Sequence, residues 1–216
     1  MGEVAYTELK RLIINGALAP GSQWLEEELA LRFGMSRTPI REALVRLEQD
    51  GLVIITPRRG VQVARLTRRD VVEVNDVLES LELLAVERVA ALAPTPGDLA
   101  PLDDAVRAMD HGLATDDAAA WIAADFRFHA SLISLTGNRH LIRTAHTYLE
   151  RAHRFRVSSH ALRGRPVAST TAHATTVEAI RRGDPHTAVA IHQLHKRRWA
   201  GELTQLFDRL GLVEGG

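Results

Sequence analysis

Between residues 52 and 64 the hydrophobic period of this chain changes, and that change limits the available folds more than any single residue does. "LVIIT" and "GVQVA" are short β-rich runs separated by "PRRG", a turn composition, and they read as a hairpin. Three helical patterns precede them. The first covers about Val4 to Asn15 and stops at Asn15-Gly16; the second covers roughly Leu25–Phe33 and stops at Gly34. The third has Ser36 as its N-cap, an inward face of Ile40, Ala43, Leu44 and Leu47, and a stop at Asp50-Gly51. Three helices and a hairpin within about 65 residues make a small winged helix-turn-helix.

After Ala64 only the helical period remains. Thr67 and Asp70 form a capping-box-like start to a long helix reaching about Ala93, and Thr95-Pro96 caps the next. Asp116 can start the helix that follows, "TGN" at 136–138 ends it, and another runs from about Leu141 to His160. "LRGRP" breaks the chain, and Gly183-Asp184-Pro185 divides the last two helices. The expectation is a mainly α protein with two domains. Residues 1–66 form the winged unit, and 67–216 form an antiparallel all-helical bundle of about six helices. A hydrophobic share of 45% is enough for both cores. The absence of cysteine removes disulfides, thiolate metal sites and cysteine nucleophiles. With no signal-peptide core and no apolar run long enough to cross a bilayer, a cytoplasmic protein without a membrane partner is expected.

Net charge is zero, but it is not evenly spread. From Arg37 to Arg65 six arginines (37, 41, 46, 58, 59, 65) face three acids (Glu42, Glu48, Asp50). Thr38, Arg41 and Val45 point outward from the third helix, with Arg37 in its first turn. Arginines so placed reach phosphates or guanine edges in a major groove, and Arg58 and Arg59 in the hairpin turn reach backbone or minor groove. A solvated basic face with a protein-binding wing is the competing reading. The stretch "PGSQWLEEELALRFGMSRTPIREALVRLEQDGLVIITPRRGVQVARL" resembles the winged-helix domain of the GntR family of bacterial transcription regulators. The resemblance implies contacts to double-stranded DNA from Ser36, Arg37, Thr38, Arg41, Arg59 and Gly60, with Pro39 shaping the helix start.

The stretch "DFRFHASLISLTGN" (125–138) presents a different problem. Its helix has an apolar stripe through Trp121, Ile122, Phe128, Leu132 and Ile133, and Asp125 and His129 sit inside it, four apart. A carboxylate and an imidazole on a buried face each need a partner. His173 shares an apolar face with Val177 and Ile180. His195 falls in the last helix's stripe of Ala188, Ile191, Trp199, Leu203, Leu206 and Leu210. Three helices thus direct Asp125, His129, His173 and His195 inward, a donor set suited to zinc, nickel, cobalt or manganese. A hydrogen-bonded core network of the same residues is the alternative. His192, one turn before His195, competes for its place on a more mixed face. The other six of the ten histidines (111, 140, 146, 153, 160, 186) read as surface or satisfied residues.

This half resembles the all-helical effector domain of the FadR-type GntR subgroup, the class called FCD. The resemblance rests on the D-x-x-x-H helix with its Gly-Asn turn, His173 before "VEAIRRGD", and His195. It implies one aspartate and three histidines holding a divalent metal, zinc first. One departure stands out: taking Leu81-Glu82 as the landmark pair, the arginine usual four residues before the glutamate is Leu78. The effector is then either less acidic or held chiefly by the metal and another base, for which Arg143, Arg151, Arg154 and Arg156 are available. The expected function is a metabolite-responsive regulator and not an enzyme. It would be a homodimeric repressor on a pseudo-palindromic operator, released by a small organic-acid-like effector. The rivals are a metal sensor with the ion as effector, and a metal-dependent hydrolase.

Overall fold

The computed structural model of the chain describes residues 1–57 and 59–209. Arg58 of the hairpin turn and Leu210 of the last stripe lie outside the described residues. The chain divides into two compact units, Met1–Leu66 and a second beginning at Thr67.

The first unit runs α1 (Gly2–Ile14), β1 (Gln23–Trp24), α2 (Glu26–Phe33), α3 (Arg37–Gln49), β2 (Val53–Thr56) and β3 (Gly60–Val63). Leu9, Ile13, Leu18, Leu29, Ile40, Leu44, Leu47, Val61 and Val63 form its apolar core. The β2–β3 hairpin is the one the alternation predicts, with Val53 opposite Val63 and Thr56 opposite Gly60. β1 is an addition. It pairs antiparallel with β3, Gln23 against Gln62, and gives a sheet of order β1-β3-β2. Two residues are too few to display a period of two, so the sequence shows only a turn there.

Gly60 explains how β1 gets so close. Its φ is +89°, and a Cβ at that position would stand 2.4 Å from the Trp24 carbonyl oxygen. Only glycine permits this backbone and this approach.

The second unit is helical: α4 (Arg68–Ala91), α5 (Pro96–Ala114), α6 (Ala118–Ser134), α7 (Arg139–Ser159), a 3-10 turn (His160–Leu162), α8 (Val167–Arg181) and α9 (Pro185–Arg209). α4 opens with a reciprocal cap, Thr67 Oγ1 accepting from Asp70 N–H and the Asp70 carboxylate accepting from Thr67 N–H. Asp117 rather than Asp116 caps α6, accepting from Ala120 N–H at 2.9 Å, while Asp116 takes φ +55° before it.

α4 packs against α6, α7, α8 and α9, so it is enclosed, and its inward stripe of Val71, Leu78, Glu82, Ala85 and Val89 is buried. The stripe of α9 differs from the sequence expectation. Ala188, His192, His195, Lys196, Trp199 and Leu203 are buried, whereas Ile191 is only half-buried. Hydropathy favours Ile191 over His192 and keeps a lysine outside. The fold instead buries both polar residues, because α4 and α6 bring them partners.

Candidate functional site

In the helical unit the i, i+4 spacing of α6 points Asp125 and His129 the same way, toward α4, α8 and α9. His129 is fully buried and Asp125 nearly so. His173 on α8 and His195 on α9 converge on them. Donor nitrogens of His129, His173 and His195 all lie within 4.8 Å of one another. Asp125 Oδ1 is 3.1 Å from His173 Nε2 and 3.7 Å from His129 Nε2. Bonds of about 2.0–2.1 Å to a common ion set neighbouring donors roughly 3–3.5 Å apart, so Asp125 and His173 already stand at that spacing while the other donors would draw in on an ion. His195 Nε2 is buried and has no hydrogen-bond partner among the described residues. A buried imidazole nitrogen with no other partner, beside two more imidazoles, is free to ligate an ion. The donor set fits a borderline divalent ion.

A second layer of groups lies behind the first. His129 Nδ1 stands 3.0 Å from Glu82 Oε1 on α4, while Nε2 faces Asp125 and Arg156. A carboxylate behind a ligand histidine fixes its tautomer and ring plane. Glu82 is itself fixed by His192 Nε2 at 2.9 Å and Lys196 Nζ at 3.1 Å, all three fully buried. Glu82, His129 and His192 form another cluster with metal-donor spacing. Lys196 pairs with Glu82 there, whereas the first cluster offers three imidazoles, among them the unpartnered His195 Nε2, and is the better ion site.

Titration follows from these contacts. Burial would raise the Glu82 and Asp125 carboxyls, but His129 with Lys196 for the former, and Arg156 with His129 for the latter, hold both well below the usual range. Burial opposes charge on His129, yet the two carboxylates outweigh it and raise its pKa. Burial pushes His173 down to about 4 and His195 well below the imidazole value, which keeps both neutral and ready to ligate. Burial likewise lowers His192 and Lys196, against the pull of Glu82.

Of the five arginines on α7, Arg154 and Arg156 are buried, Arg139 and Arg143 are exposed and Arg151 is half-buried. Arg156 is the one at the centre. Its Nε lies 2.7 Å from Asp125 Oδ2, its Nη2 3.3 Å from His129 Nε2, and its guanidinium 4.7 Å above the Trp199 ring. Leu78, where the resemblance led us to look for an arginine, is fully buried in the core of the bundle. The cations in this interior therefore come from α7 and α9. Glu82 and Lys196 are the site residues that sequence reasoning missed, and Arg156 was one of four arginines it could not tell apart. Glu82 carried the one readable signal, a carboxylate inside an apolar helical stripe, as Asp125 is.

In the winged unit Ser36, Arg37, Thr38 and Arg41 are exposed at the start of α3, and Arg59 is exposed in the hairpin turn. Ser36 precedes α3 without a side-chain capping bond. Pro39 is buried on the inward face, so its part is to set the start of the helix and not to touch a ligand. Arg37 pairs with Glu27 of α2 at 2.5 Å. Arg37, Arg41, Val45, Thr56 and Gly60 line an open groove between α2, α3 and the hairpin.

A winged three-helix unit followed by a helical bundle is the architecture of a two-domain DNA-binding transcription regulator. Residues 2–63 match the family model for bacterial regulatory proteins of the gntR family, and residues 73–198 match the FCD domain. The chain therefore belongs to the GntR family and carries an FCD domain. It is similar to an HTH-type transcriptional regulator from the TAR-I ttuE-ttuC' intergenic region of Agrobacterium vitis, 40% identical over 132 residues, 60% of this chain and 77% of the relative. An HTH-type regulator from an unstable DNA locus of Streptomyces ambofaciens is 30% identical over 197 residues, 89% of this chain and 80% of the relative. In fold it is similar to E. coli McbR/YncC, with a TM-score of 0.83 at 22% identity over 95% of this chain and 98% of that one. The families and relatives are transcription regulators, so this is a DNA-binding regulator and not an enzyme. Among the described residues, no helix is long and apolar enough to cross a membrane.

Proposed function

We propose that the chain is a cytoplasmic, metabolite-responsive repressor that binds DNA as a homodimer and holds one divalent metal ion, zinc first, in each helical domain. His129, His173 and His195 hold the ion, with Asp125 as the carboxylate ligand. The observation that carries this reading is the buried, unpartnered His195 Nε2 facing two other imidazoles. Bound there, the ion supplies a Lewis-acidic position for a carboxylate or hydroxyl of a small organic acid. Glu82 orients His129, and Trp121 Nε1–H donates to Thr170 Oγ1 at 2.9 Å, tying α6 to the turn of α8 before His173.

Residues 1–66 are the DNA-binding domain, with Ser36, Arg37, Thr38 and Arg41 reading the major groove and Arg59 and Gly60 in the wing. Residues 67–216 bind the effector and dimerise. Two recognition helices on one pseudo-palindrome multiply a modest half-site affinity. Repression is supported by likeness to the transcriptional repressor RspR of E. coli, 33% identical over 87 residues, 40% of this chain and 38% of RspR. Effector binding switches the protein only if it favours one arrangement of the dimer over the other.

Metal content of untagged protein tests the centre. About one divalent ion per chain is expected, and none in the His173→Ala, His195→Ala double variant. If the wild-type protein takes up neither zinc nor nickel, the centre is a hydrogen-bonded core network instead. Operator release by chelator alone assigns the ion itself as the effector.

A further inference from the structure

The donor set of the centre already contains a cation. The Arg156 guanidinium is ion-paired with Asp125 Oδ2 at 2.7 Å and faces His129 Nε2 at 3.3 Å, so it occupies two of the four groups read as metal ligands. The buried cluster already sets two carboxylates, Glu82 and Asp125, against two side-chain cations, Lys196 and Arg156. A divalent ion added to that set brings two charges into a dry interior and sets one of them beside a guanidinium.

Arg156 also has somewhere else to go. It forms part of the wall of a cleft of about 370 Å3 that Trp121, Ile122, His160, Arg163 and Arg165 also line. Arg163 pairs with Glu202, and Arg165 donates to the Leu113 carbonyl, so both guanidinium groups are anchored at the rim. Three arginines line the cleft, and the acid among its lining residues, Asp116, stands 3.9 Å from Arg165.

We infer that Arg156 is an internal counter-cation that closes the metal centre and leaves it for this cleft when a divalent ion binds. There it completes, with Arg163, Arg165 and His160, a receptor for a small oxyanion. Ion and oxyanion therefore bind cooperatively, because one guanidinium must leave the first site and is needed in the second. The inference rests on the metal reading above. It adds a coupling that the metal ligands alone do not contain.

Zinc affinity is the test, measured by competition with a chromophoric chelator in sulfate and in chloride at matched ionic strength. Sulfate is the probe because it is a dianion that hardly chelates. In wild-type protein, sulfate should strengthen zinc binding. The Arg156→Met variant should bind zinc about tenfold more tightly and lose the response to sulfate. Arg156→Lys keeps the charge but cannot span Asp125 and His129 at once. It should gain a few-fold in zinc affinity, and it provides the comparison if the methionine variant fails to fold. Variants that bind zinc no more tightly than wild type overturn the inference while leaving the metal centre standing. A sulfate response equal in all three proteins overturns it as well. Zinc bound by neither wild type nor variants overturns the metal reading and this inference together.

Discussion

His129 is the hinge of the buried chemistry because its two nitrogens face different groups: Glu82 on one side, Asp125 and Arg156 on the other. Lys196 balances Glu82, and removing either partner leaves an uncompensated buried charge. Lys196→Met should therefore cost about 3–5 kcal/mol in urea denaturation, and Glu82→Gln added to it should recover most of that loss. Equal destabilisation by the single and double variants would show that the lysine acts through packing and not through charge. His153 is a second buried polar residue, packed edge-on against Phe126 at 5.0 Å. Of the two sequence readings for it, surface or satisfied, its burial excludes the first. Burial, then Arg156, lowers its pKa from 6.5 to about 4. Between those values the unfolded chain binds more protons than the folded one, so stability falls as pH drops through that window. The loss is up to about 3 kcal/mol, and His153→Leu should flatten it in pH-dependent melts.

Helix ends are where local chemistry was most readable. Gly34, Gly51 and Gly183 all take positive φ where a helix was expected to stop, and Thr67 and Thr95 both make their reciprocal caps. Each of these signals acts within four residues, so no distant partner is needed to read it. β1 is the opposite case. It exists only because Trp24 can lie against β3 at Gly60. Gly60→Ala should destabilise the winged unit by about 2 kcal/mol or more, since it adds both a disfavoured φ and a clash with the Trp24 carbonyl. Thermal unfolding checks this, and an unchanged midpoint would mean the strand shifts at no cost.

A protein of zero net charge binds DNA through a patch, and the patch sets how salt affects binding. Arg41 is exposed on the outer face of α3. If it contacts a phosphate, Arg41→Ala should weaken operator and random DNA alike and lower the slope of log affinity against log salt by about one. If it reads a base, the slope should hold while operator preference falls. Fluorescence anisotropy across a salt series separates the two. Arg37 starts from its ion pair with Glu27, so Glu27→Gln should tighten binding to both DNAs in the same assay.

Periodicity alone determined that this chain has a winged helix-turn-helix followed by a bundle. It also placed Asp125, His129, His173 and His195 on inward faces, since a repeat of 3.6 residues needs no knowledge of the neighbouring helix. Only the tertiary structure decided which cations accompany them. Five arginines on α7 look alike in sequence, and Lys196 reads as surface. Arg156 and Lys196 are inside because carboxylates on α6 and α4 meet them there, 31 and 114 residues away along the chain. Burying a charge is unfavourable until such a partner arrives, and the partner comes from packing that no local pattern records.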